Sequence, residues 1–235
     1  MDMLSELKKD MKEKSDNERA KNLSRFFKTG RGEYGEGDIF LGITVPNQRN
    51  IVKKYWEKIN LKETEELLKS KFHEERLTAL LILVKKYSKS DEKEKEEIFN
   101  FYLSNTKYIN NWDLVDLSAP NIIGNFILNK NHDILYKLAK SENLWEKRIS
   151  IISTATFIRS NQFEDTIKIS EILLNEKHDL IHKAVGWMLR EIGKRNKSKL
   201  EKFLKKYHKK MPRTMLRYAI EKFPENERKG YLNKV

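Results

Sequence analysis

Two stretches far apart in the chain each set a tryptophan beside charged groups at helical spacing. The first is Asn110-Asn111-Trp112-Asp113-Leu114-Val115-Asp116. Trp112 and Asp116 are four residues apart and share one helix face. The second is Ile181-His182-Lys183-Ala184-Val185-Gly186-Trp187-Met188-Leu189-Arg190-Glu191. Trp187 and Arg190, three apart, share another face. An aromatic surface, a carboxylate and a cation read as two halves of one site, suited to a flat, cationic ligand that carries phosphate.

Each residue also has an ordinary structural reading. Asp113, two places after Asn111, is well explained as an acidic residue at a helix start. Asp116 is explained less well, because aspartate is a poor helix former one turn further in. Arg148 closes Leu144-Trp145-Glu146-Lys147-Arg148 just before the apolar Ile149-Ser150-Ile151-Ile152, as an ion-pair partner or as a ligand clamp. Gly186 costs a helix about 1 kcal/mol relative to alanine, so it marks close approach of another backbone or of a ligand. His182 reads as a satisfied core or interface histidine rather than a base. Lys183 has the chemistry for a Schiff base, but nothing specific supports one. His73, His132, His178 and His208 show no paired spacing on one helix face, so neither a metal site nor any cofactor is expected.

The composition narrows the partner. The chain has 235 residues, 38% hydrophobic and 35% charged, enough apolar content to bury a core. Cysteine is absent, so disulfides, thiolate metal ligands and thiol nucleophiles are excluded. Residues 1–19 lack the apolar core of a signal peptide. No apolar run reaches the roughly 18 residues of a membrane span. The net charge is +13, and residues 176–235 hold 18 Lys and Arg against 7 Asp and Glu. Such a basic quarter suits a polyanion, although a solvated lysine-rich surface would look the same. The run Lys205-Lys206-Tyr207-His208-Lys209-Lys210-Met211-Pro212-Arg213 sits in this quarter. Arg213 and Arg217 at i,i+4 suit phosphate binding and a solvated face about equally.

Helices must position these groups. Apolar residues recur at helical spacing nearly throughout, as at Leu77, Leu80, Leu81 and Val84, or Ile167, Ile169, Ile172 and Leu173. No period-2 strand is convincing, and Pro46 reads as a helix start. Short polar links carry expected N-caps at Ser90 or Asp91, Asn111, Asp133, Asn143, Asp179 and Asn196. Trp-Glu-Lys-Arg at 145–148 and Glu-Glu-Arg at 74–76, each before an apolar helix, hint at a helix-pair repeat in the HEAT-like range. Periodicity alone supports a solenoid and an irregular bundle equally. Thr29-Gly30-Arg31-Gly32-Glu33-Tyr34-Gly35-Glu36-Gly37-Asp38 breaks the helices; it reads as an ordered loop held by Tyr34 and Phe40-Leu41, with Arg31 a candidate contact to DNA.

Taken together, the chain resembles the DNA alkylation-repair glycosylases of the AlkD type, a family of HEAT-like repeats. The carrying segments are Phe40-Leu41-Gly42-Ile43 with Pro46, Asn111-Trp112-Asp113-Leu114-Val115-Asp116, Leu144-Trp145-Glu146-Lys147-Arg148 and the 182–191 segment. The resemblance implies an all-α HEAT-like solenoid with a concave basic groove, formed as a single domain over 1–235. It implies that Asp116 is the catalytic carboxylate, that Trp112 and Trp187 line the groove, and that Arg148 holds a backbone phosphate. It implies excision of N3- and N7-alkylated purines without a lesion pocket. The Gly-rich stretch is longer than in some members, and Thr44 stands where one branch has a DNA-contacting glutamine.

The expected activity is therefore that of a monofunctional DNA glycosylase on alkylated, cationic purines in double-stranded DNA. Asp116, Trp112 and Trp187 form the catalytic set, and Arg148, Lys183, Arg190, Lys194, Arg213 and Arg217 bind DNA. A monomer without metal, cytoplasmic and associated with the nucleoid, is expected. The alternatives are a non-catalytic binder of DNA structures on the same scaffold and a HEAT-like protein-interaction module.

Overall fold

The computed structural model describes residues 2–233. The fold is all-α, as the apolar periodicity predicts. Among the described residues the only extended pairing is an isolated bridge between Ile39 and Phe72. Contacts divide the chain into two compact units, with the boundary between Ser118 and Ala119.

In the first unit the centre is the helix His73–Tyr87. It is buried on nearly every side, with Ala79, Leu80, Ile82 and Leu83 fully enclosed. The helices Leu61–Leu68, Val45–Tyr55 and Glu92–Ser104 pack around it. Met3–Glu13 covers Val45–Tyr55 with Leu4, Leu7 and Met11, an i, i+3, i+7 stripe. Burying each such side chain contributes about 1.5–3 kcal/mol. Local chemistry sets the helix starts. Asp91 rather than Ser90 closes a capping box with Glu94, and Asn60 does the same with Glu63. Thr44 caps Val45–Tyr55, with Pro46 in the first turn where no amide is needed.

In the second unit the corresponding centre is Asp179–Arg195. It packs on Leu144–Ser153, Lys197–Tyr207 and Arg213–Ala219. A Cβ added at Gly186 would lie 2.5 Å from the Met215 carbonyl oxygen and 2.5 Å from Tyr218 Cβ. Of the two roles open to this glycine, the structure shows the backbone crossing. Asn143 and Asn196 cap as expected. Two expected caps are off by one place: Asp133 and Asp179 are first helical residues, preceded by His132 and His178. The ring Nδ1 of His178 takes the Leu180 N–H at 3.1 Å, so an imidazole does the capping there. Ile172, expected on an apolar stripe, is 37% exposed while Ile169 and Leu173 are buried.

The helix Trp112–Ala119 runs on into a π turn, Pro120–Gly124. Pro120 has no amide hydrogen to give the carbonyl four residues back, and the ladder widens by one residue instead. The Pro120 carbonyl accepts from Thr156 Oγ1 at 2.7 Å.

Candidate functional site

Trp112 and Asp116 lie on the same helix, one turn apart, both partly exposed. The start of that helix is fixed by its neighbours. Asn111, fully buried, accepts the Trp112 amide on its side-chain oxygen at 2.8 Å and donates from Nδ2 to Asp38 Oδ2 at 3.1 Å. Asp113 takes the Leu114 amide at 2.9 Å and faces His73 Nε2 at 2.8 Å. The other ring nitrogen of His73 meets Asp38 Oδ2 at 3.0 Å. Asp38 is completed by Arg76 Nη2 at 2.5 Å, and Arg76 also donates to the Ser70 carbonyl.

The order of charges is thus Arg76, Asp38, His73, Asp113. His73 is 2% exposed. Burial disfavours its charged form, but the hydrogen bonds to Asp113 and then Asp38 outweigh that and raise its pKa to about 9. Both ring nitrogens therefore donate at neutral pH. Burial would raise the Asp38 carboxyl, yet His73 and the Arg76 charge hold it below its ordinary range. Tyr102 is held above its ordinary range, first by complete burial and then by the charge of Asp116, against its hydrogen bond with Ser118.

Aromatic rings continue the same construction. Phe40 and Phe27 lie against the His73 ring at 4.6 and 5.0 Å. Phe27 stacks on Trp112 at 5.2 Å with 15° between the planes. Phe26, 65% exposed, meets Trp112 edge-on at 6.1 Å.

The Gly-rich segment is an ordered loop, as the sequence indicates, and its last residue is the buried Asp38. Glu33 and Glu36 take the amides of Gly30 and Gly32, and Gly35 donates to the Lys28 carbonyl. Arg31 is exposed at its surface. Beyond it, Glu74 gathers the amides of Leu41, Gly42 and Ile43 at 2.8, 2.8 and 3.2 Å.

In the second unit, Trp187 is partly exposed and donates Nε1 to Glu191 at 3.2 Å. Arg148 is 5% exposed and donates to the Leu180 carbonyl at 2.6 Å. Lys183 pairs with Asp179 at 2.7 Å, Arg190 with Glu221, and Lys194 with Glu191 at 2.7 Å. Arg213 is exposed and caps the Leu232 carbonyl at 2.6 Å. Arg217 is exposed and lines a cleft of about 360 Å³ with Lys183, Asp179 and Arg228. His182 donates from Nε2 to the Glu176 carbonyl at 2.5 Å, which satisfies it structurally.

Helical spacing sets Trp112 and Asp116 on one helix, but nothing in the spacing joins Phe26, Phe27, Asp38, His73 or Arg76 to them. The adjacent Phe26-Phe27 pair between Arg25 and Lys28 was the available signal for the first two. Nothing local links His73 to Asp38 or Asp113, which are 35 and 40 residues away.

The model of the DNA alkylation repair enzyme family matches residues 7–223. The chain belongs to that family, and DNA is the partner that membership implies. A solved structure described as a predicted DNA alkylation repair enzyme from Enterococcus faecalis shares the fold. It is 17% identical with a TM-score of 0.71, covering 90% of this chain and 98% of that one. A search of curated proteins finds no match. No described helix is long and apolar enough to cross a membrane.

Proposed function

We propose that the protein is a monofunctional DNA glycosylase that hydrolyses the N-glycosidic bond of N3- and N7-alkylated purines in duplex DNA. The observation that carries this reading is the pairing of Trp112 and Asp116 on one partly exposed helix face, in a chain of the DNA alkylation repair enzyme family.

Alkylation gives the purine a formal positive charge. When the bond from the sugar to the base breaks, the electron pair goes to the purine, which departs neutral and needs no general acid. Positive charge moves to the sugar, and water then adds at the anomeric carbon and loses a proton. Asp116 is the carboxylate that stabilises the oxocarbenium-like sugar. The face of Trp112 attracts the same charge.

Arg148 is assigned a backbone phosphate, its guanidinium held in place by the Leu180 carbonyl. Lys183, Arg190, Lys194, Arg213 and Arg217 are assigned further phosphates. Lys183, Arg190 and Lys194 are engaged by the protein's own carboxylates. The lysine pairs are solvent-facing and worth about 0–1 kcal/mol, so a phosphate exchanges with the carboxylate there at little cost.

The test is release of free base from a duplex carrying one 7-methylguanine, without metal, by the wild type and Asp116→Asn. Release that falls sharply in the variant supports the assignment. Salt-sensitive DNA binding with no release by the wild type overturns it in favour of a non-catalytic DNA binder.

A further inference from the structure

We propose that the Asp38–His73–Asp113 chain is a positioning device for the reaction, fixing the start of the helix that presents Trp112 and Asp116. The inference rests on the glycosylase reading above and concerns residues that touch neither sugar nor base.

Three features of the first unit carry it. First, the charges are expensive where they are. Asp38, His73 and Arg76 are 9%, 2% and 5% exposed. Buried ion pairs are weak contributors to stability, since apolar side chains of similar volume often do as well or better. What such a network does supply is a single geometry, because each donor faces one acceptor. Second, two branches of the network end at the same place. Asp38 is held by Arg76 and His73, and from there one bond goes to Asn111 and, through His73, another goes to Asp113. These two residues flank Trp112 and take the first amides of its helix. Third, ring contacts join the imidazole to the indole. Phe27 lies between them, 5.0 Å from His73 and 5.2 Å from Trp112.

Asp116 stands one turn beyond Asp113 on the same helix, so whatever holds Asp113 sets where the Asp116 carboxylate falls. Displacing a catalytic group by about 1 Å costs roughly a hundredfold in rate. The Gly-rich loop acquires a purpose in the same terms: it ends at Asp38, which meets both His73 Nδ1 and Asn111 at the helix start.

The experiment measures single-turnover release of 7-methylguanine, and the dissociation constant for undamaged duplex, for wild type, His73→Gln, Asp113→Ala and the double variant. The Trp112 indole N–H resonance is followed in the same proteins, with Trp56 as the internal control. Positioning predicts a loss of about tenfold to a hundredfold in rate for each single variant, a dissociation constant within about threefold of wild type, and a double variant no slower than either single one. The Trp112 resonance moves and that of Trp56 does not. A folded His73→Gln within about twofold of the wild-type rate overturns the proposal, as does a loss that lies entirely in DNA affinity. If His73→Gln fails to fold, Asp113→Ala, altered at a partly exposed position, decides alone by the same criteria. If the wild type releases no base, the glycosylase reading fails; a Trp112 resonance that moves in both variants then still supports the positioning role, and one that stays in place overturns it.

Discussion

The side-chain amide of Asn111 donates to Asp38, 73 positions earlier, across 3.1 Å. Its oxygen meanwhile accepts the backbone amide of Trp112. One side chain thereby joins the end of the Gly-rich loop to the first residue of the helix bearing the proposed catalytic groups. Because Asn111 is fully buried, neither bond has water as a competitor.

The buried imidazolium makes stability depend on pH in a defined direction. His73 has an ordinary pKa of 6.5 and one of about 9 in the folded protein. A raised pKa stabilises the fold fully below about 6.5, and the contribution is lost as pH rises through about 9, on the order of 3 kcal/mol in all. Urea unfolding at pH 6.5 and pH 9.5 should show wild type losing more stability than His73→Gln. Equal losses would mean that His73 is not charged in the fold. Asp38 behaves oppositely: its pKa is lowered, so its contribution is present above the ordinary value of 3.8 and lost as pH falls below it.

Replacing Asp116 by asparagine keeps the side chain's volume and removes its charge. Base release should fall by about a hundredfold to a thousandfold, the usual loss on removing a group that stabilises transition-state charge. Affinity for undamaged duplex should be retained. A wild-type rate in Asp116→Asn would remove this carboxylate from the chemistry.

Arg190 is paired with Glu221, and phosphate has to displace that carboxylate. Glu221→Gln should therefore strengthen duplex binding and steepen the plot of log affinity against log salt by about one. Lys194→Gln should flatten it by about one. Isotherms that do not change in either variant would place Arg190 and Lys194 outside the DNA contact.

Gly186 tests the packing of the second unit. Alanine there gains about 1 kcal/mol of helix propensity. Its Cβ, however, meets the Met215 carbonyl and Tyr218 at 2.5 Å, and overpacking of this kind costs about 1–3 kcal/mol. The melting temperature should fall, by about 2–4 °C per kcal/mol of net loss in a protein of this size. A melting temperature at or above wild type would show that the two helices part easily.

The all-α fold was legible because apolar spacing repeats along most of the chain, and Asp91, Asn143 and Asn196 cap where their chemistry demands. The misplaced caps at Asp133 and Asp179 have a local cause: a histidine precedes each, and His178 can accept an amide much as an aspartate does. Trp112 and Asp116 were legible as a pair because helical spacing alone sets them one turn apart. Asp38, His73 and Arg76 were not. His73-Glu74-Glu75-Arg76 resembles an ordinary charged helix start, where acidic groups favour the macrodipole. Its burial comes from a loop returning over it, and loops of glycine and charge carry no period from which such a path can be read.

Glu74 has a consequence for how the first unit opens. A single carboxylate holds three successive amides, of Leu41, Gly42 and Ile43, from 31 to 33 residues away. None of the three can be exposed to solvent alone without weakening the hold on the others. In hydrogen exchange these protons should therefore behave as one cooperative group, with a common opening free energy set at the start of the His73–Tyr87 helix rather than within their own segment. Local fraying of the glycines at 30–37 would leave that group protected, so the loop can breathe at its tip while its far end stays locked.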